Sequence, residues 1–201
     1  ARYVLSGQLT CRTPFDLPLA LFVLTAALAV WTAYDREPAW PKFWLIVGGV
    51  LVFYALVNAE PLGDLRGWLL AGFGAVVALY FLVTHDWAAY PAKIEALTQV
   101  GRALQAPLPS LPGHRLHPNV AGGIMAMMVP YAGWALADAW RRVRRNWPGS
   151  WLALILALGI LGLTSFGLLM TTSRGAWLSL AVALFLAGLW SAGELLSQGS
   201  A

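Results

Sequence analysis

The sequence has 201 residues, of which 59% are hydrophobic and 11% are charged, with a formal net charge of +4 and a mean hydropathy of +0.67. Because an ordinary soluble domain carries charge on roughly a quarter of its residues, this composition excludes such a domain and indicates an integral membrane protein. The single cysteine, Cys11, excludes an internal disulfide. The sequence has no metal-ligand cluster, glycine-rich phosphate loop or nucleic-acid-binding motif, so we expect no metal, no cofactor and no nucleic-acid partner.

The long apolar runs do not alternate with polar residues, which predicts helices, because backbone polar groups in a bilayer must be satisfied within each segment. We predict an all-α fold, a polytopic transmembrane helical bundle that forms a single domain over 1–201. The spanning helices are predicted at 17–34, 43–59, 67–84, 119–139, 151–170 and 176–193. Small residues predict close helix packing at Gly48-Gly49, Gly72 and Gly74, Gly122-Gly123, and Gly159 and Gly162.

The strongest indication of orientation is the arginine-rich segment Arg141–Arg145. Short basic loops stay in the cytoplasm, so this segment, predicted as a loop, is assigned to the cytoplasmic side. Alternation of the spans then predicts a cytoplasmic N-terminus and places residues 85–118 and the turn at Arg174 outside. Asp138 is predicted at a helix end, where a carboxylate needs no functional explanation.

The extracytoplasmic segment 85–118 is too long for a simple connection. Residues 88–106 have the apolar spacing of an amphipathic helix, which would lie on the membrane surface or cap the bundle. The prolines of residues 107–113 then predict an extended chain that leads to the fourth span. Asn119 is predicted to cap that span, and the helix N-terminus with Arg115 beside it favours binding of an anion.

The segment Thr171–Trp177 separates two apolar runs and carries one positive charge. An arginine at the centre of a bilayer costs about 2.5–3.5 kcal/mol, so we expect this turn to lie at the membrane surface. Gly175 is predicted to supply the backbone freedom of a tight turn. The three hydroxyls of residues 171–173, beside Arg174, would form a donor-rich patch for phosphate or carboxylate oxygens. The alternative is that Arg174 is an interfacial anchor whose guanidinium reaches the lipid headgroups.

Two motifs, GHRLHPNVAGGIMAMMVP at 113–130 and TTSRGAWLSLAVAL at 171–184, together resemble the bacterial O-antigen ligase and O-antigen polymerase family of membrane glycosyltransferases. RTPFDLPLALFVLTA at 12–26 also resembles an early helix of its members. The resemblance spans most of the chain, and its specific part is the order of the two motifs on the predicted outer face.

The resemblance implies a protein of the bacterial cytoplasmic (inner) membrane that transfers glycan from undecaprenyl diphosphate at the outer face. It assigns Arg115 and Arg174 to the diphosphate leaving group, whose electrostatic stabilisation is the main physical work of such a transfer. His117 and Asn119 match the helix-start motif of the family, and Ser173 belongs to its Ser-Arg-Gly turn. These five residues are the predicted substrate-binding set, with the lipid bilayer and the lipid-linked glycan as partners.

Family members also have a large outer loop after the Ser-Arg-Gly turn, with a histidine proposed to activate the acceptor hydroxyl. That histidine would lie downstream of this chain, so no catalytic residue is assigned here. The chain is then expected to be part of a longer enzyme or a partial homologue, and to bind without catalysing.

Two other classes of function remain open at this point. A non-catalytic subunit, packed with other membrane subunits in a larger complex, would also lack the acceptor-activating loop. A pigment-binding subunit would use His85 or His117 as the ligand of a chlorin metal, but both residues lie at span ends, which disfavours it.

Overall fold

The computed structural model describes residues 12–58, 64–107 and 115–198. Within these residues the chain forms seven helices and no strands, so the all-α prediction is confirmed there. In chain order the helices are α1 (Asp16–Thr32), α2 (Ala39–Asn58), α3 (Leu65–Thr84), α4 (Glu95–Gln105), α5 (Pro118–Arg144), α6 (Ser150–Met170) and α7 (Arg174–Gln198).

Four of these helices, α2, α3, α5 and α6, are long and apolar enough to cross a membrane. They contain 20, 20, 27 and 21 residues, and about 20 residues span a hydrocarbon core. α1 and the first part of α7, Arg174–Leu189, are apolar but shorter. The described residues therefore support a multi-pass membrane protein with four candidate spans, and the count of six remains a prediction.

The chain divides into two compact units, residues 1–63 and 64–201. In the first unit α1 packs on α2, and the hydroxyl of Tyr54 donates to the Asp16 carboxylate at 2.9 Å. Val30 is the buried residue of α1, and α2 has none. This helix pair therefore turns its apolar side chains outward, as a pair in contact with lipid would.

In the second unit α3, α5 and α6 pack together, α7 packs on α5, and α4 packs on α3. The largest fully buried apolar side chains of this unit are Phe81, Trp87, Met125 and Met170. Phe81 is near the end of α3, Met125 is near the start of α5, and Met170 ends α6. The core is therefore concentrated at the end of the bundle that carries the 85–118 segment.

Three glycines let the helices of this core approach closely. A Cβ on Gly74 would lie 2.6 Å from the Cβ of Met128, and one on Gly167 would lie equally close to a side chain of α3. A Cβ on Gly122 would lie 2.9 Å from the hydroxyl of Thr171. The predicted close packing is confirmed at Gly74 and Gly122, and Gly167 is a third such position.

The other glycines for which close packing was predicted face open space. A Cβ would meet no neighbouring atom within 4 Å at Gly48, Gly49, Gly72, Gly123, Gly159 or Gly162. These positions create no close helix contact within the described part of the chain.

Helix α5 continues through the arginine cluster that was predicted to be a loop. Arg141, Arg142 and Arg144 form its last turn, where cations interact favourably with the negative end of the helix dipole, and Arg145 is the C-cap. The prediction of a helix end at Asp138 is also wrong, because α5 extends six residues beyond it to Arg144. Asp138 is only 8% exposed and requires buried partners.

The amphipathic helix predicted within 88–106 is α4, which begins later, at Glu95, because the residues before it form turns and bends. Thr98 and Gly101 are buried, and Gly101 packs on the ring of Trp87. Helix α4 therefore caps the bundle, which was one of the two predicted positions.

Only part of the apolar side of α4 packs on the bundle, where Leu97 contacts the buried core. Val100 and Leu104 are 41% and 44% exposed. A membrane surface would cover this side, as the second predicted position requires. The stretch predicted to be extended at 107–113 lies almost entirely outside the described residues.

Replacing Gly74 with alanine is expected to destabilise the protein by about 1–3 kcal/mol, because the new methyl group overlaps Met128. Gly72→Ala, on the same helix in open space, is the matched control and should be neutral or stabilising by up to about 1 kcal/mol. Thermal unfolding of both variants in one detergent measures the difference. Equal stability of the two variants would show that this close contact does not constrain the bundle.

Candidate functional site

Two adjoining cavities, of about 400 and 200 Å³, lie at the end of the bundle where α3 ends and α5 begins. His85, Tyr90, His117 and Pro118 line both of them. The larger cavity is also lined by Arg115 and Leu116, and the smaller one by Trp87, 91–93, Asn119 and 170–172. The fold therefore brings together three segments that are distant in sequence.

Three of the five predicted substrate-binding residues, Arg115, His117 and Asn119, line these cavities. Ser173 and Arg174 line neither cavity but belong to the adjoining turn. The Cβ of Ser173 would lie 3.0 Å from a Cβ on Gly122, so this turn packs on the first turns of α5. The two motifs of the sequence are therefore neighbours in the structure.

His117, rather than Asn119, is the N-cap of α5. Its Nδ1 accepts a hydrogen bond from the backbone N–H of Asn119 at 3.2 Å, and its carbonyl oxygen accepts from Val120 and Ala121 at 2.9 and 3.0 Å. Asn119 was predicted to be the cap because the helix was expected to begin later; it begins at Pro118. Since Pro118 has no N–H, the first-turn donors of α5 are all used inside the helix.

The same hydrogen bond determines what the His117 ring offers to a ligand. Because Nδ1 accepts, the proton of the neutral ring is on Nε2, which is then a donor. At the start of α5, hydrogen-bond donors for a ligand must therefore come from side chains such as those of His117 and Asn119. The dipole of the helix still favours an anion at this end.

Arg115 is held by Asp86, whose Oδ2 lies 3.0 Å from its Nη1. The backbone N–H of Ala89, followed by that of Ala88 and the charge of Arg115, lowers the pKa of the Asp86 carboxyl below its usual value. The carboxylate therefore stays ionised at neutral pH and the ion pair persists. A guanidinium has five N–H donors, and the Arg115 side chain is 57% exposed, so donors remain for a second anion.

The three residues of the predicted donor-rich patch, Thr171, Thr172 and Ser173, are buried in the turn between α6 and α7. The Thr171 hydroxyl donates to the Leu168 carbonyl at 2.7 Å and accepts from the Ser173 N–H at 3.3 Å. The Ser173 hydroxyl accepts from the Ala176 N–H at 3.5 Å. Two of the three hydroxyls thus hold the turn itself, and Thr171 and Thr172 both line the smaller cavity.

The unusual backbone conformation of this turn is at Thr172 and not at Gly175. Thr172 has φ 48°, in the left-handed region, which costs a residue with a Cβ roughly 1–2 kcal/mol. Gly175 lies in the first turn of α7, and a Cβ there would meet nothing within 4 Å. The prediction for Gly175 is wrong because the Ser173 cap starts the helix before this residue.

The start of α7 is the better anion-binding helix end of the two. No acceptor for the backbone N–H groups of Arg174 and Gly175 lies among the described residues. The indole of Trp177 donates to the Leu168 carbonyl at 3.1 Å and so fixes this turn against α6. An exposed guanidinium and two open N–H groups therefore lie together at the positive end of a 25-residue helix.

His85 forms part of the wall shared by the two cavities. It is 5% exposed, and its ring centroid lies 4.9 Å from that of Phe81 and 4.5 Å from that of Trp87. Burial lowers the pKa of His85, and its Nε2 lies 3.0 Å from the carbonyl oxygen of Tyr90, to which it must donate. Among the described residues no group of three or more side chains could hold a metal ion.

The sequence does not mark Asp86, Tyr90 and Lys93 as neighbours of the predicted site, where the structure places them. Residues 85–94 form turns and bends, so no helical or strand period marks the side chains that point inward. The one available signal was the length of the 85–118 segment.

Comparison of this chain with protein-family models, curated proteins and solved structures found no match. The likeness to the O-antigen ligase and polymerase family is therefore limited to the motifs quoted above.

Lowering the pH from neutral to about 5 is expected to destabilise the protein through His85. The unfolded ring titrates near 6.5 and the folded ring lower, so the unfolded state binds more protons in this window. The stabilisation is complete above pH 6.5 and is lost as the pH falls towards the folded pKa. His85→Gln keeps a donor for Tyr90 without titrating, so its unfolding midpoint should depend less on pH.

The control for this measurement is Gln99→Ala, at an exposed position of α4, which keeps both His85 and His117 and should keep the pH dependence of the wild type. A wild-type midpoint that changes with pH no more than that of His85→Gln would contradict the role assigned to burial.

Proposed function

We propose that this chain is an O-antigen ligase-like or polymerase-like membrane protein that binds a glycan carried on undecaprenyl diphosphate. Binding takes place at the outer face of the bacterial inner membrane. Glycan transfer also needs a base that activates the acceptor hydroxyl, and we assign that role to none of the described residues. The observation that carries the proposal is the meeting of residues 115–119 with the turn at 171–174 at one end of the bundle.

The chemistry of glycan transfer fits the donors at this end. When the bond between the sugar and the diphosphate breaks, negative charge develops on the departing oxygen. Arg174, the open N–H groups at the start of α7 and the free donors of Arg115 would stabilise that charge. His117 Nε2 and the Asn119 amide supply neutral donors in the cavity wall, which orient the ligand without adding charge.

We also propose that this end of the second unit faces outward and the arginine-rich end faces the cytoplasm, with a cytoplasmic N-terminus. Helix α5 starts at the cavities and ends at the arginines, and its 27 residues give a length of roughly 40 Å. The cavities and the arginine cluster therefore lie at opposite ends of one candidate span. Because arginine is preferred at cytoplasmic ends, this arrangement favours an outward-facing cavity end.

A non-catalytic subunit of a larger membrane complex is the second candidate, and uncovered helix faces favour it. Helix α2 has no buried residue, and Gly159 and Gly162 of α6 face open space. Small residues on an open face allow a helix of another protein to approach closely.

Arg174→Lys is expected to weaken binding of undecaprenyl diphosphate by at least about tenfold, nearly as much as Arg174→Ala. Lysine keeps the charge but loses the planar pair of N–H groups that meets two phosphate oxygens at once. Binding of the lipid to the purified chain measures this effect without a catalytic step, and Arg144→Lys, at the other end of α5, is the control.

Arg115→Ala should weaken the same binding, and its loss should not add to that of Arg174→Ala, because two groups that hold one anion act together. Normal binding by Arg174→Lys would identify Arg174 as a headgroup anchor. If purification yields this chain at fixed stoichiometry with other membrane proteins and without affinity for the lipid, the subunit hypothesis replaces the first proposal.

The orientation is tested by cysteine labelling in intact cells, after Cys11 is replaced with serine. An impermeant thiol reagent is expected to label Gln99→Cys, on the exposed face of α4, and to leave Arg144→Cys unlabelled until the membrane is opened. Labelling of Arg144→Cys alone in intact cells would reverse the proposed orientation.

A further inference from the structure

A third cavity, of about 420 Å³, lies at the opposite end of the second unit, near the end of α5. Its walls are formed by three arginines, two aspartates and two tryptophans: Arg141, Arg142, Arg145, Asp64, Asp138, Trp134 and Trp147. Nearly the full length of α5 separates it from the site proposed to bind the lipid diphosphate. It is therefore a separate feature, and the proposed function does not account for it.

The buried carboxylate of Asp138 fixes the positions of the charges around this cavity. Its Oδ2 accepts from Arg142 Nε at 2.7 Å and from the indole of Trp68 at 3.2 Å, and its Oδ1 lies 3.7 Å from Arg141. A carboxylate buried in this way holds its arginines in place, because moving them away would leave its charge unpaired.

The cavity has one positive charge in excess. Arg142 also faces Asp64 at 3.8 Å, so two carboxylates oppose three guanidinium groups. Arg145 has no ion-pair partner among the residues that the structure describes. The Arg141 side chain is 58% exposed and touches Asp138 only at 3.7 Å, so most of its donors are also open. The open donors of Arg141 and Arg145 are suited to phosphate oxygens.

We propose that this cavity binds the phosphate of an anionic phospholipid headgroup. Its volume is within the range of ligand-binding pockets. The cavity is bordered by Trp134 and Trp147, and tryptophan is enriched where a membrane meets water. The guanidinium of Arg142 lies 5.5 Å from the ring centroid of Trp147. Basic pockets between helices at the cytoplasmic side of a membrane bind such headgroups.

The charges favour an anionic lipid over the other sources of phosphate. A choline headgroup brings a cation that the excess positive charge repels, whereas phosphatidylglycerol brings a net negative charge. Free phosphate offers the same oxygens but must bind by its own contacts alone. A lipid headgroup is held beside the cavity by the bilayer, which raises its effective concentration.

In the experiment, the purified chain in neutral detergent is titrated with phosphatidylglycerol, phosphatidylcholine or inorganic phosphate. Native mass spectrometry measures the bound lipid, and the unfolding midpoint measures how far each ligand protects the chain against unfolding. Arg145→Gln removes the unpaired guanidinium of the cavity. The matched control is Arg144→Gln, which removes the same charge from the neighbouring exposed position outside the cavity. If Arg145→Gln does not fold, Arg141→Gln takes its place.

Phosphatidylglycerol is expected to bind at least about tenfold tighter than phosphatidylcholine, and Arg145→Gln should remove most of this preference while Arg144→Gln keeps it. Equal binding of the two lipids, or equal losses in the two variants, would reduce the effect to diffuse surface charge and overturn the proposal. Protection by inorganic phosphate as strong as that by phosphatidylglycerol would identify a free-phosphate site and overturn the lipid assignment.

Discussion

The close contact of α3, α5 and α6 at Gly74 and Gly167, and of α5 with the Thr171–Ser173 turn at Gly122, is the constraint on which the cavity end of the bundle depends. Lipid tails are as apolar as leucine, so helices in a membrane associate through van der Waals contact and hydrogen bonds rather than through burial from water. Residues without a side chain therefore decide where two helices can touch. Gly122 has a particular role, because the Thr171–Ser173 turn packs directly on it. The position of Arg174 relative to the start of α5 follows from that contact.

Each end of the second unit also uses a carboxylate to hold an arginine. Asp86 fixes Arg115 beside the two adjoining cavities, and Asp138 fixes Arg142 beside the cavity near the end of α5. A guanidinium that is already positioned loses less conformational entropy when an anion binds. In both places other cations, Arg174 and Arg145, are left without an acidic partner among the described residues. Each end therefore combines a guanidinium that a carboxylate holds in place with a second guanidinium that is available to an anion.

The sequence was sufficient to predict the all-α class and the approximate extent of the long helices, because apolar runs of span length have few alternatives in a membrane protein. It could not predict the local geometry that a tertiary contact decides. In the sequence Asp138 lies at the polar end of an apolar run, which predicts a helix end. In the structure, buried hydrogen bonds from Arg142 and Trp68 to its carboxylate keep it inside the helix. Gly175 has the composition of a turn, but Ser173 caps the helix before it. The cavity residues of 85–94 follow no period, so only the fold brings them to the site.

Helix α4 packs on Trp87 through Gly101 and leaves Val100 and Leu104 uncovered. In a membrane its depth would therefore be determined by the lipid as well as by the protein. Tyr90 and Lys93 line the smaller of the two adjoining cavities and belong to the short segment that leads into α4. A thicker or thinner leaflet would displace this segment together with the helix. The width of the cavity entrance would then depend on the acyl-chain length of the surrounding lipids.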